Sequence, residues 1–217
     1  MSSENNIIRI IDYGMGNLRS VQKALERIGQ EAVLTNDPSE VRCARKLILP
    51  GVGAFGAAMA NLERLGLVEA IRDFAETGRP FLGICLGMQL LLSESEEQGD
   101  FKGLDLVPGR VVKFFKSEDV GPSTTGLKVP HMGWNSLRKT SDCPLLEGVH
   151  EGANVYFVHS YYADPPKDAI AALTDYGIEF CSVIWKDNIY ATQFHPEKSG
   201  AIGLRMLENF AAMKTGE

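Results

Sequence analysis

Residues 80–89, with the sequence Pro80-Phe81-Leu82-Gly83-Ile84-Cys85-Leu86-Gly87-Met88-Gln89, form the stretch that decides the fold. An apolar strand, Pro80–Ile84, is predicted to run directly into a helix over Leu86–Ser93. The segment is the thiol counterpart of the G-x-S-x-G nucleophile elbow, in which two glycines permit a sharp turn that exposes the residue between them. The start of a helix favours negative charge there. Cys85 is therefore predicted to be a nucleophile, although an isolated cysteine is more often a small buried hydrophobic residue.

A cysteine nucleophile needs a base, and the base needs a group that orients it. His195 and Glu197 lie two residues apart at the end of an extended segment, so their side chains can share one side. Glu197 could hold the imidazole in the tautomer that receives the thiol proton. On its own the pair would be read as a solvated strand end. Beside the elbow it predicts a Cys85–His195–Glu197 triad. Of the other histidines, His159 is predicted to be a core residue or a pocket wall.

An oxyanion formed at Cys85 would need nearby N–H donors. The backbone N–H of Leu86, at the start of the predicted helix, is one candidate. The second lies in Pro50-Gly51-Val52-Gly53, a glycine-rich loop that follows an apolar strand over Lys46–Leu49. This loop matches neither a P-loop nor a dinucleotide fingerprint. Gly51 and Gly53 would let the backbone approach a ligand closely. A plain strand-to-helix turn is the alternative interpretation of the loop.

Strands and helices alternate through the first two-thirds of the chain, which predicts a mostly parallel central sheet with helices on both faces. Asn17 is predicted to cap the first helix, and Asp37-Pro38 to start the second. From Leu104 onward the pattern changes to an antiparallel or mixed extension, closed by a last helix over Ala201–Met213. The strands predicted there are Val111–Phe115, Asn154–Tyr162, Ala169–Thr174, Phe180–Trp185 and Ile189–Phe194. We expect an α/β fold and one domain over residues 1–217.

Composition excludes several classes of protein. The 217 residues include 22 basic and 28 acidic side chains, a net charge of −6, and 44% of the residues are hydrophobic. A chain with this apolar content can bury a core, and a net-acidic chain is a poor general nucleic-acid binder. No apolar run is long enough to span a membrane, and the polar Met1–Asn6 predicts no signal peptide. The four cysteines lack a CxxC pair, so we expect reduced thiols, a cytoplasmic location, and neither a metal nor a cofactor.

The elbow, the Pro50–Gly53 loop and the Gln193–Glu197 segment together resemble class I (triad) glutamine amidotransferases. Three further motifs are similar to those of one branch of that family, the glutaminase subunits of imidazole glycerol phosphate synthase. These motifs are Asp12-Tyr13-Gly14-Met15-Gly16-Asn17-Leu18, Val129-Pro130-His131-Met132-Gly133-Trp134-Asn135 and Tyr156-Phe157-Val158-His159-Ser160-Tyr161-Tyr162. The resemblance covers essentially the whole chain. Its one clear departure is the longer Lys116–Lys128 segment, within which Gly121–Gly126 is expected to be a mobile surface loop.

The resemblance implies a role for each matching position. Cys85 would attack the side-chain amide of glutamine and form a γ-glutamyl thioester, with His195 as the base and Glu197 orienting it. Gly53 and Leu86 would supply the oxyanion N–H groups. The residues that would bind glutamine are Gly51, Gln89, Ser160 and Tyr161. The residues that would face a partner are Asn17, Met132, Trp134, Asn135 and Tyr156.

The resemblance also implies a partner and a product. The partner would be a cyclase subunit with a (β/α)₈ barrel, forming a heterodimer. Ammonia would pass to it and react with a phosphoribulosyl-formimino carboxamide nucleotide (PRFAR). The products would be imidazole glycerol phosphate and an aminoimidazole carboxamide ribonucleotide. Because uncoupled glutaminase activity would waste glutamine, we hypothesise that the Gly51–Gly53 loop is misoriented until the partner binds its ligand.

Three alternatives remain at the level of the sequence. The first is the same glutaminase chemistry serving another acceptor pathway. The second is a stand-alone cysteine hydrolase or peptidase, which the presence of Gln89 and of the Ser160-Tyr161 pair disfavours. The third is a non-catalytic interaction module, which an intact Cys85, His195 and Glu197 disfavours.

Overall fold

The computed structural model describes residues 7–115 and 126–215 of the chain and shows a large mixed sheet flanked by helices. The strands are β1 (Ile8–Ile11), β2 (Ala32–Thr35), β3 (Lys46–Gly51), β4 (Phe81–Cys85), β5 (Leu92–Ser95), β6 (Phe101–Lys102), β7 (Val107–Lys113), β8 (His131–Ser136), β9 (Arg138–Lys139), β10 (Asn154–His159), β11 (Tyr161–Asp164), β12 (Ile170–Asp175), β13 (Glu179–Lys186) and β14 (Ile189–Thr192). The helices are α1 (Leu18–Arg27), α2 (Pro38–Cys43), α3 (Phe55–Arg64), α4 (Leu67–Glu76), α5 (Leu86–Leu90) and α6 (Gly200–Ala212).

Twelve strands form the large sheet, in the order β2-β1-β3-β4-β14-β13-β11-β7-β5-β6, with β12 and β9 attached through β13. The first five strands of that order are parallel, and the pairs from β14 to β7 are antiparallel. Strands β8 and β10 form a separate antiparallel pair. The predicted division into a parallel half and a mixed extension is confirmed.

The parallel strands are mostly apolar because both faces of the sheet are covered. In β3, Leu47 and Leu49 belong to one hydrophobic cluster and Ile48 to the other. The first cluster packs against α2, α3 and α4, and the second against α1, α6 and β10. Asp37 caps α2 as predicted, since its carboxylate accepts the N–H of Ser39 at 2.7 Å and Pro38 occupies the first helical turn. Among the described residues, no helix is long and apolar enough to cross a bilayer.

The structure corrects two predicted elements. The helix after Cys85 ends at Leu90 rather than Ser93, because residues 92–95 form β5 and pair with β6 and β7. The predicted strand Asn154–Tyr162 breaks at Ser160, because β10 pairs with β8 whereas β11 pairs with β7 and β13. In both places tertiary pairing overrides a local apolar pattern. Residues 121–125 of the expected mobile loop Gly121–Gly126, and residues 116–125 of the Lys116–Lys128 segment, lie outside the described residues.

Candidate active site

Cys85 occupies a strained turn between β4 and α5. It is the last residue of the strand and the N-cap of the helix, with φ 56° and ψ −111°. A positive φ in a residue other than glycine costs of order 1–3 kcal/mol and persists only where the surroundings enforce it. The conformation is that expected of a nucleophile elbow. The predicted strand–turn–helix arrangement is therefore present at the predicted residue.

The two elbow glycines are required by close backbone contacts. A Cβ on Gly87 would lie 1.7 Å from the carbonyl oxygen of Leu49, and one on Gly83 would lie 2.9 Å from the carbonyl oxygen of Gly87. No side chain larger than hydrogen fits at Gly87 without moving β3. The glycines thus allow α5 to start directly against the neighbouring strand, which fixes the position of Cys85.

Three adjacent parallel strands bring the predicted site residues together at one edge of the sheet. Gly51, the last residue of β3, is opposite Cys85 in β4, and Thr192 in β14 is opposite Ile84. The chain leaves β14 directly into the segment that carries His195. The carboxyl ends of parallel strands are where open α/β sheets bind ligands.

His195 and Glu197 form a buried pair. The Nδ1 of His195 lies 2.8 Å from Glu197 Oε1, and the two side chains are 2% and 1% exposed. Because a carboxylate only accepts, Nδ1 must donate, which leaves Nε2 to act on the thiol. Ser199, which the sequence did not single out, holds this segment: its hydroxyl donates to the His195 carbonyl at 2.7 Å and accepts the N–H of Tyr156 at 3.0 Å.

The charge state of His195 is set by both of its neighbours. Burial alone would lower the pKa of His195. Hydrogen-bonding and charge interactions with Cys85 and Glu197 outweigh burial and raise the pKa from 6.5 to about 10. Within the described chain, Nε2 makes no hydrogen bond of ordinary geometry, and the Cys85 thiol lies 3.9 Å from the Val158 carbonyl oxygen. The interaction of His195 with Cys85 places the candidate base beside the candidate nucleophile, and such contacts typically tighten when substrate binds.

Replacing Glu197 with glutamine should move the alkaline limb of the glutaminase pH profile. The carboxylate stabilises the imidazolium, so its loss lowers the pKa of His195 by about 1–3 units. The kcat/KM for glutamine, which needs the imidazolium to protonate the departing nitrogen, should then fall at a lower pH than in wild type. Glu179→Gln, which removes an exposed carboxylate paired with Arg138, is the matched control and should leave the limb in place. An identical limb in Glu197→Gln and wild type would contradict the assigned role.

A cavity of about 420 Å³ opens over the elbow. It is lined by Val52, Gly53, Cys85, Leu86, Gln89, Glu97, Pro130, Val158, His159, Ser160 and Tyr161. Six of the predicted site residues therefore share one cavity: Gly53, Cys85, Leu86, Gln89, Ser160 and Tyr161. His195 and Glu197 are buried and do not line the cavity. Gly51 also lies outside the lining. A Cβ on Gly51 would come 2.4 Å from the buried hydroxyl of Tyr13.

Polar groups in the cavity are already oriented. Gln89 Nε2 donates to the Tyr161 carbonyl at 2.9 Å and to Gln193 Oε1 at 3.1 Å, so its Oε1 is left as the acceptor for a ligand. Glu97 adds a carboxylate that the sequence did not reveal, held by the N–H of Phe55 at 2.8 Å. No local motif marks Glu97, because it reaches the cavity only through the path of the chain after β5.

The candidate oxyanion donors differ in how firmly they are held. Leu86 is the first residue of α5, where a backbone N–H has no acceptor within the helix. Gly53 has φ 105° and is exposed, and a Cβ there would lie 2.6 Å from the Met15 side chain. Position 53 therefore requires glycine for the loop to adopt this conformation. The same loop packs against Met15 in the Tyr13–Gly16 turn.

The predicted partner-facing residues fall into two groups. Met132 and Trp134 are 62% and 58% exposed, and Tyr156 is half-buried against Trp134, with ring centroids 6.0 Å apart. Asn17 is exposed at the start of α1, but its side chain accepts from the Ser20 hydroxyl instead of capping the helix backbone. Asn135 is half-buried, and its amide bonds within its own chain.

The site is that of an α/β protein with a cysteine at a strand-to-helix elbow beside a buried histidine–glutamate pair, and comparison with known proteins identifies its family. A sequence model of the class-I glutamine amidotransferases matches residues 9–213, and the chain belongs to that family. It is 57% identical over 208 residues to imidazole glycerol phosphate synthase subunit HisH of Geobacter sulfurreducens, covering 95% of this chain and 99% of that protein. The subunit of the same name from Methanothermobacter thermautotrophicus is 54% identical, with 94% and 97% covered.

Solved structures agree on the fold. A crystal structure of a glutamine amidotransferase superposes with a TM-score of 0.70 at 19% identity, covering 94% of this chain and 99% of that one. The PurLQS structure from Thermotoga maritima also gives 0.70, at 17% identity, covering 94% and 96%. The predicted fold class and the family resemblance are confirmed.

Proposed function

We propose that this chain is the glutaminase subunit of an imidazole glycerol phosphate synthase, which releases ammonia from glutamine for a cyclase subunit. The observation that carries the proposal is the strained Cys85 at the edge of β4, beside the buried His195–Glu197 pair and under a cavity with oriented amide and carboxylate groups. The high identity to the HisH subunits over nearly their whole length supports the pathway. One sheet contains twelve of the fourteen described strands, which supports a single domain.

In the first half-reaction, the Cys85 thiolate attacks the side-chain carbonyl carbon of glutamine and forms a C–S bond. The charge that develops on oxygen is stabilised by the N–H groups of Leu86 and Gly53. The His195 imidazolium gives its proton to the departing nitrogen, the C–N bond breaks, and ammonia leaves. The product on the protein is a γ-glutamyl thioester at Cys85, and Glu197 keeps His195 in the tautomer with Nε2 toward the sulfur.

In the second half-reaction, His195, now neutral, removes a proton from water as the water oxygen attacks the thioester carbon. The C–S bond breaks, glutamate leaves and Cys85 departs as thiolate facing the reprotonated imidazole. The sum is glutamine plus water giving glutamate plus ammonia. The proton that the departing nitrogen gains and the proton that the attacking water gives up both pass through His195, and the carboxyl proton of the product is lost to water.

Glutamine recognition uses the remaining polar groups of the cavity. The Glu97 carboxylate pairs with the α-ammonium group, which a peptide or a simple amide would lack at that position. Gln89 Oε1 accepts a hydrogen bond, and Ser160 and Tyr161, which line the cavity at the break between β10 and β11, contact the substrate ends. This combination favours a free amino acid over a peptide.

A partner would close the mouth of the cavity. The exposed apolar residues Met132 and Trp134 lie on β8, Val129 adjoins the cavity-lining Pro130, and Val52 lines the cavity itself; Val52 and Val129 are each 40% exposed. Exposed apolar side chains grouped in this way mark interaction surfaces. Ammonia released into water at neutral pH would be protonated and lost to synthesis. A cyclase with a (β/α)₈ barrel, bound over this mouth as a heterodimer, would receive it instead. The four free thiols support a cytoplasmic location.

Trp134→Ala should weaken binding of the cyclase by roughly 10- to 100-fold, because large aromatic side chains at the centre of an interface contribute about 1–3 kcal/mol. Titration calorimetry of the purified subunits would measure the change. Leu34→Ala removes an exposed apolar side chain from β2, an edge strand of the large sheet to which β8 does not belong, and should bind like wild type. Equal affinity for the Trp134 and Leu34 variants would contradict this surface as the interface.

The proposed function is tested by co-purifying the chain with its cyclase and assaying glutaminase activity with and without the cyclase ligand. We expect low activity for the free chain and a large increase in the liganded complex, as the Gly51–Gly53 loop turns its N–H toward the oxyanion. A full rate in the free chain would contradict the loop as a switch. Failure of the complex to make imidazole glycerol phosphate from glutamine would overturn the pathway and favour another acceptor.

A further inference from the structure

Two histidines outside the triad face each other beneath the cavity. His131 in β8 and His159 in β10 are opposite in the strand register, both are buried, and His131 Nδ1 lies 3.0 Å from His159 Nε2. Neither takes part in the chemistry described above. Two imidazoles in direct contact can share one hydrogen bond only if one ring donates and the other accepts, so the pair has a defined direction.

The direction follows first from the His159 end. His159 Nδ1 lies 2.8 Å from the Tyr161 carbonyl oxygen, which can only accept. His159 Nδ1 therefore carries a proton, and Nε2 of the neutral ring is an acceptor. The bond between the rings must then be donated by Nδ1 of His131.

The other end of the pair gives the same answer independently. The Asn135 amide is fixed, because its Nδ2 donates to the Asp175 carbonyl at 2.8 Å and its Oδ1 accepts the N–H of Ser136 at 2.8 Å. Its Nδ2 also lies 3.3 Å from His131 Nε2, which must accept. His131 is again protonated at Nδ1. Burial also favours neutral rings, since it lowers the pKa of His131 to about 4 and that of His159 to about 3.

The chain of hydrogen bonds ends on the glutamine cavity. The Tyr161 carbonyl that accepts from His159 also accepts from Gln89 Nε2, at 2.9 Å. Both Gln89 and His159 line the cavity. At its other end the chain begins on β8, the strand that carries the exposed Met132 and Trp134. A continuous path of hydrogen bonds thus joins the proposed interface strand to a proposed substrate-binding side chain.

From this geometry we infer that His131 and His159 are positioning residues that form a relay. Both rings are neutral and protonated at Nδ1, and together they hold the Tyr161 carbonyl and the Gln89 amide in a fixed position relative to β8. Only the kinetic consequence of this inference rests on the proposed function. The relay sets the acceptor geometry of Gln89, so its loss acts mainly on glutamine binding, and partner contact at β8 is transmitted to the same amide.

Simple core packing is the competing explanation. His131 stacks on Tyr176 and Phe157, with centroids 4.0 and 4.8 Å away, and His159 packs on Phe114 at 5.1 Å. If packing were the whole role, phenylalanine would replace His131 well, and asparagine, which has no ring, would replace it badly. If the relay is the role, the order is reversed, since the asparagine Nδ2 can donate from near the position of the imidazole Nδ1.

The kinetic test compares His131→Phe with His131→Asn in the complex with the cyclase. The relay predicts that KM for glutamine rises about tenfold in His131→Phe, with a smaller change in kcat, and that His131→Asn keeps KM within about threefold of wild type. A larger KM in the asparagine variant, an equal rise in both, or no rise in either would overturn it. Ammonia-dependent synthesis by the same complexes checks that the cyclase is intact.

A second measurement needs no variant and no activity. Nitrogen-15 NMR of the histidine rings in the full wild-type chain should show both His131 and His159 protonated at Nδ1 and bare at Nε2 at pH 7. An Nε2–H tautomer or a charged ring at either position would overturn the relay. This result stands whether or not the chain is a glutaminase, whereas a wild-type complex without glutamine-dependent synthesis would refute the proposed function alone.

Discussion

Cys85→Ala is expected to abolish glutamine-dependent synthesis by the complex while leaving ammonia-dependent synthesis intact. The loss should be at least about 10⁴-fold, the scale on which removal of a nucleophile from a triad acts. The oxyanion donors and the cavity remain in the variant, but no group is left to form the thioester. The cyclase receives external ammonia instead, so its own activity is a built-in control for folding and assembly.

A second cysteine provides the matched control for that experiment. Cys143 is also buried, and burial raises its pKa to about 11, so its thiolate is scarcely populated at neutral pH. Cys143→Ala should therefore retain glutaminase activity, apart from a modest loss of stability. Substantial glutamine-dependent synthesis in Cys85→Ala, or its loss in Cys143→Ala, would contradict the assignment of the nucleophile.

Gly87→Ala is expected to have the largest effect on stability. Its Cβ would lie 1.7 Å from the Leu49 carbonyl oxygen, on a strand whose register with β4 is fixed over five residue pairs. Removing this clash requires moving β3 or unwinding the start of α5, and either change also displaces Cys85. We expect the free energy of unfolding to fall by at least about 4 kcal/mol, the range reached only by severe core defects, or no folded protein at all.

Gly29→Ala separates this clash from the ordinary effect of replacing a glycine. Gly29 has φ 75° at the end of α1, and a Cβ there meets no atom within 4 Å. Only the backbone preference is lost, so the expected cost is about 1–2 kcal/mol. Urea unfolding of both variants would measure the difference. Similar losses in the two variants would contradict the contact at the elbow as the reason for glycine.

The geometry of the candidate catalytic centre was predictable because its parts are local in the sequence. The Gly83–Gly87 elbow and the His195–Glu197 pair each carry their geometry within a few residues, and parallel strands bring their ends together. The length of α5 was not predictable, because the apolar residues after Leu90 suit a helix and a buried strand equally until β7 is available to pair.

The proposed substrate-binding side chains and the histidine relay depend on contacts between segments that are distant in the sequence. Glu97 reaches the cavity through a turn that no motif marks. His159 could be assigned only as a core or wall residue, because its neighbour His131 lies 28 positions away on another strand. The break at Ser160, which sends β10 and β11 into different sheets, is likewise set by pairing partners. Hydrophobic periodicity and amino-acid composition carry no information about such contacts between residues that are far apart in the sequence.

Transfer of the amide nitrogen tests the proposed activity most directly. The complex of this chain with its cyclase would be given glutamine labelled with nitrogen-15 at the side-chain amide, together with PRFAR and unlabelled ammonium in the buffer. We predict that the imidazole glycerol phosphate formed by wild type carries the label, and that the product of the Cys85→Ala complex does not. Unlabelled imidazole glycerol phosphate from the wild-type complex would contradict delivery of ammonia from Cys85 to the cyclase.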